Sequence, residues 1–191
     1  MRKAFRNIVL FVGVVSLWAC GNVQNEYCID YQCYFIYDTT IHNGGYLWAS
    51  VQPMNYGQFV FVYTKKIFLK SGNSVRYVYA NLNGKTDSTA ITTAKETNLT
   101  YALGAQNGLI VGRSLSGDNM LYAFDRQCPN CIDDYGTYIP LNWSNNGTAV
   151  YCRKCKRTYD LNNGGYPQNG GGKKLLRYRI SYSGATIFVN N

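Results

Sequence analysis

Four cysteines set as two Cys-x-x-Cys pairs, Cys128-Pro-Asn-Cys131 and Cys152-Arg-Lys-Cys155, with twenty residues between them, constrain this chain more than any other feature. Each pair can present two thiolates to one tetrahedral ion, so the two read as metal-binding knuckles. Any fold for this sequence must then bring residues 128–131 and 152–155 to one point. The chain has a single histidine, His42, far from either pair. Cys128, Cys131, Cys152 and Cys155 are the candidate metal ligands, and sulfur alone completes the set.

The start of the chain is a separate unit. Arg2, Lys3 and Arg6 precede an apolar run from Ile8 to Trp18, and Ala19 stands before Cys20. Residues 1–19 read as a secretory signal peptide, because the run falls short of the ~20 residues that a helical membrane span needs. Leu17-Trp18-Ala19-Cys20 resembles a bacterial lipoprotein processing site, with Trp18 a departure from the small residue usual there. The resemblance implies that Cys20 becomes the lipidated first residue and anchors the chain to a membrane. An ordinary cleaved signal and an uncleaved anchor are the competing readings. The expected location is the cell envelope, as an outer-membrane lipoprotein on the periplasmic or the exposed face. Gly21 gives no inner-membrane retention signal. Beyond the leader no stretch is long and apolar enough to span, so a soluble body is expected.

Loss of Arg2, Lys3 and Arg6 with the leader takes the formal net charge from +9 to +6. That moderate excess suits anionic lipid headgroups or an acidic envelope protein as partner. It does not suit nucleic acid, since the chain is exported and its cations form no long stripe.

Eighteen tyrosines and nineteen glycines, with abundant Val, Ile and Thr, favour strands and tight turns over helices. Strands are expected at Cys33–Tyr37, Leu47–Val51, Gln58–Tyr63, Val75–Ala80, Leu109–Gly112, Met120–Asp125, Leu175–Tyr182 and Thr186–Val189. Turns are expected at Asn43-Gly44-Gly45, Ser71-Gly72-Asn73, Asn83-Gly84 and Ser183-Gly184. Only residues 86–103 suggest a short helix, and their threonines oppose it. Residues 20–32 read as a tether into the body, 33–191. Cys28 and Cys33 lie at its end; a turn between them would permit a small disulfide, against the alternative of two free thiols.

The order of the parts around the knuckles resembles the Rieske iron–sulfur domain. The first knuckle follows Leu121-Tyr122-Ala123-Phe124-Asp125, and the second follows Ala149-Val150-Tyr151. Cys152-Arg-Lys-Cys155-Lys-Arg-Thr-Tyr159-Asp160-Leu161, with Gly164 beyond, is similar to the second ligand loop of that family with cysteine in place of histidine. Leu175 to Tyr178 and Thr186 to Val189 resemble its terminal strands. Leu121 to Val189 carries the resemblance, and the whole chain is similar to Rieske-like lipoproteins of Bacteroides-type bacteria. The resemblance implies an all-β antiparallel sandwich or barrel bearing a small two-knuckle subdomain, with metal-binding loops at about 125–166.

A conventional Rieske centre is excluded by counting, because it takes two histidines on one iron. The first knuckle is also a residue longer than the family's Cys-x-His. Three states remain for the four thiols: one zinc, an iron centre such as an all-cysteine [2Fe–2S] cluster, or disulfides without metal. The leader lacks the adjacent arginines of folded export, which favours a metal acquired after translocation and hence zinc. The favoured reading is a structural zinc in a binding or structural module; the alternative is an electron-transfer protein. Redox-active dithiols are disfavoured because both pairs are expected to follow strands and enter loops, not helix N-termini. Arg153, Lys154, Lys156 and Arg157 crowd the second knuckle as counter-charges or as a solvated loop. Asp133-Asp134 reads as a turn or helix cap. No hydrolytic constellation is visible, no catalytic residue is assigned, and His42 is expected to be structural.

Overall fold

The computed structural model describes residues 26–116 and 119–191. The expected leader 1–19, the expected lipidation site Cys20 and the first part of the expected tether lie outside the described residues. The described strands are β1 Cys33–Asp38, β2 Phe59–Phe68, β3 Ser74–Leu82, β4 Lys85–Ile91, β5 Ala102–Leu103, β6 Leu109–Arg113, β7 Leu121–Asp125, β8 Asn142–Ser144, β9 Ala149–Tyr151, β10 Thr158–Asp160, β11 Tyr166–Pro167, β12 Arg177–Ser183 and β13 Thr186–Asn190. Short helices occupy α1 Gly45–Val51, α2 Ala94–Thr97 and α3 Pro129–Tyr135. The class is all-β, as expected, and every strand pair is antiparallel.

Nine strands form one sheet in the order β4-β3-β2-β6-β7-β12-β13-β1-β5, and β11-β10-β9-β8 form a second of four. The smaller sheet and α3 lie in the chain between β7 and β12, which are neighbours in the large sheet. The part that carries the four cysteines is thus an insertion between paired strands.

Why it docks there follows from the two-residue period of a strand. Phe59-Val60-Phe61-Val62 in β2 is apolar on both faces. Val60 and Val62 enter one core with Val111, Ala123, Phe35 and Val189. Phe59 and Phe61 enter a second with Ile110, Phe124, Val150, Tyr159 and Cys128. Strands β6 and β7 divide in the same way, so a continuous apolar run marks a strand covered on both sides. Past Val62, β2 becomes progressively exposed.

Two expected elements differ. Leu47–Val51 is not a strand but part of α1: Leu47, Ser50 and Val51 are buried at helical spacing. Gly44 holds φ +80 at its N-terminus, and the Asp87 carboxylate accepts the Tyr46 N–H at 2.6 Å. Residues 86–103 are largely not helical. Asn83 and Gly84, both at positive φ, turn β3 back into the β-branched strand β4, leaving only α2, whose cap is Thr93. The expected hairpin between the last two strands is present, turning at Gly184 and Ala185.

The tether is also shorter than expected. Residues 26–32 belong to the body: the Cys28 N–H donates to the Arg177 carbonyl at 2.7 Å, and Cys28 is buried in the first core. Cys28 and Cys33, the candidate disulfide pair, both carry free thiols in this structure. Backbone pairing fixes the two residues separately, Cys28 to Arg177 and Cys33 to Leu103. His42 is structural: its Nε2 lies 2.9 Å from Glu96 Oε1, which ties the turn after β1 to α2.

Candidate metal centre

The knuckles are positioned by different local structures. The first follows β7 through Asp125-Arg126-Gln127. Cys128 then caps α3, with Pro129 at the first helical position, where its missing N–H costs nothing. The first pair therefore enters a short helix rather than a loop. Asp133 and Asp134 sit in the last turn of that helix, not in a turn or cap; they pair with Lys173 and Arg157. The second knuckle follows β9. The Cys152 carbonyl accepts the Lys156 N–H at 3.0 Å, and Lys156 takes φ +61 to close the turn.

The four sulfurs converge, each within 4.8 Å of every other. Two contacts cross between the knuckles: Cys128 to Cys155 at 3.6 Å and Cys131 to Cys152 at 3.4 Å. Sulfurs on a single tetrahedral zinc, with bonds of about 2.3 Å, would lie roughly 3.8 Å apart. The four cysteines are thus positioned to hold one metal ion. A two-iron cluster would hold its two sulfur pairs further apart, by the separation of the irons. Cys128, Cys131 and Cys152 are buried and Cys155 is partly exposed.

Burial pushes the Cys128 thiol up to about 11 and raises Cys131 further. Cys155 moves the other way: burial pushes up, but the Arg157 N–H and side chain and the Cys128 and Cys152 thiols bring it down to about 7. Protein alone therefore does not support four thiolates at neutral pH, whereas a coordinated divalent ion deprotonates its thiols.

A second layer locks the site. The Tyr159 hydroxyl lies 3.3 Å from Cys128 Sγ and accepts from Asn130 Nδ2 at 2.8 Å. Asn130 also bridges to the chain before β12: it donates to the Lys173 carbonyl at 3.1 Å and accepts the Lys173 N–H at 2.9 Å. Burial raises the Tyr159 pKa, with the Cys128 hydrogen bond adding to it, so the phenol keeps its proton at neutral pH. Sequence reasoning assigned neither Tyr159 nor Asn130 a role. Asn130 is inside the first knuckle, and that position was the available signal.

No protein-family model matches this chain, and no curated protein or solved structure matches it either. Among the described residues, no helix is long and apolar enough to cross a membrane.

Proposed function

We propose that this protein is a Rieske-like lipoprotein of the cell envelope whose two knuckles hold one structural zinc, and that it acts as a binding or structural module, not an enzyme. The convergence of four sulfurs within 4.8 Å carries the metal reading. A single ion with four sulfur ligands leaves no open position for water or substrate, so its contribution is to fold and fix the tip. The insertion of the small sheet between β7 and β12, with β12–β13 closing the fold, supports the Rieske-like part. The lipid anchor rests on Leu17-Trp18-Ala19-Cys20.

Elemental analysis of the protein purified from its native envelope, paired with thiol quantitation, tests the reading. One zinc per chain without iron is the expected result. Iron in place of zinc would move the protein to electron transfer, with visible colour and a paramagnetic signal. Absence of both metals, together with no free thiols, would replace the metal site with disulfides.

A further inference from the structure

The metal tip and the N-terminal segment share one end of the molecule, joined contact by contact. Lys154 Nζ of the second knuckle lies 4.6 Å from the Tyr135 ring centroid at the end of α3. Tyr138, just beyond, meets Tyr31 edge to face at 6.3 Å. Tyr31 belongs to the segment whose first described residue, Glu26, pairs with Arg177 at 2.6 Å. This end displays apolar and aromatic groups to solvent: Ile29 is 67% exposed, Tyr135 56% and Tyr138 45%. Beside them Arg153, Lys154 and Lys156 are exposed, and none takes part in the ion pairs found among the described residues. Cations outside these ion pairs, beside exposed tyrosines and an aliphatic residue, match the chemistry of a bilayer interface.

The chain's own length supports the same occupant. From Cys20 to Glu26 the backbone reaches at most about 20 Å. A lipid on Cys20 would therefore hold this end, and not the far end of β2, against the bilayer.

We propose that this end is a membrane-contact face that lies on anionic phospholipid. Arg153, Lys154 and Lys156 meet the headgroup phosphates, while Ile29, Tyr135 and Tyr138 enter the interfacial layer. The proposal deepens the envelope reading above and rests on it for location, but the face itself is testable without the anchor.

Residues 26–191 carry every described element of both cores, so they form the body to test, loaded with zinc. Its sedimentation with phosphatidylcholine vesicles is compared with and without phosphatidylglycerol. Binding is expected only to the anionic vesicles. It should fall as salt rises from about 0.1 M to about 1 M and the Debye length contracts from about 10 Å to about 3 Å. The triple change R153Q/K154Q/K156Q should lower the partition coefficient on the order of a hundredfold. K65Q/K66Q/K70Q removes the same charge from the exposed end of β2 and the turn beyond it, and should change binding only a few-fold. Zinc content and thermal midpoint of each variant confirm that it is folded. Absent binding, equal binding to neutral vesicles, or equal loss in the two triple variants would overturn the face. Absent binding would leave an acidic protein as the partner of the basic tip. The mass of Cys20 in envelope-derived protein tests the anchor separately.

Discussion

Replacing Tyr159 with phenylalanine removes one oxygen from the second layer of the metal centre and leaves the ring in place. In the native protein that hydroxyl accepts from Asn130 at 2.8 Å, leaving its proton free for Cys128 Sγ at 3.3 Å. Asn130 keeps its bonds to Lys173 in the variant, so its amide is not stranded. The main loss is a hydrogen bond to a buried thiolate, worth about 1.5–3 kcal/mol for a charged acceptor. Loss of an outer-shell partner typically costs about 10–100-fold in metal affinity, which is about 1.4–2.8 kcal/mol. The two estimates agree. Tyr159→Phe should therefore bind zinc 10–100-fold more weakly in a competition titration against a chromophoric chelator. Its zinc-free thermal midpoint should move much less, because the ring still fills the second core. Zinc affinity within twofold of the native value would refute the reasoning: it would mean that Cys128 is not a metal-bound thiolate, or that the hydroxyl does not donate to it.

Chelation of the metal should expose a defined order of thiol reactivity. Cys155, partly exposed and near a pKa of about 7, should be alkylated first, and Cys33, buried and pushed by burial to about 12, long after it. Peptide mass spectrometry over a time course checks this, and early labelling of Cys33 would contradict it. Asp125 is fully buried; burial raises its pKa against the hydrogen bonds it accepts from Ala105, Tyr178 and Gln127. A raised carboxylate favours the folded state below its unfolded value of about 3.9 and loses that contribution as pH rises through its folded value. Asp125→Asn should cost about 1–3 kcal/mol by leaving a donor unmet. It should also lack that part of the pH dependence, and identical urea-midpoint profiles for the two chains would rule the account out. Asp87→Ala deletes the acceptor at the start of α1 and should cost about 0.5–2 kcal/mol by thermal denaturation; no change would mean that water replaces the cap.

Much of the fold could be read from residue alternation. The strands at Cys33, Val75, Leu109 and Thr186 lie where their β-branched and aromatic runs suggest, and the glycine and asparagine turns bound them. The failures have physical causes. Tyr46 to Val51 contains valine, leucine and aromatics that suit a strand, and its helix depends on the Asp87 carboxylate, which sits forty-one residues away. The threonines of β4 argued against a helix and in fact build an edge strand, once Asn83-Gly84 turns the chain. Cys28 looked like part of a tether because nothing local buries it; its partner is the carbonyl of Arg177. The short helix after Cys128 was hidden by reading the knuckle as a loop, although Pro129 is a favoured first helical residue.

The sequence by itself determined the candidate ligand set, since two Cys-x-x-Cys pairs and one remote histidine leave sulfur as the donor. It also determined the all-β class, because two-residue alternation is local. Only the tertiary structure decided that the four sulfurs converge, that Tyr159 and Asn130 support them, and that the tip shares an end with the N-terminal segment. Those arrangements join residues such as Asn130 and Tyr159, twenty-nine positions apart, and Asn130 and Lys173, forty-three apart. Their geometry is set by how β2, β6 and β7 bury both faces at once, and no local pattern encodes it.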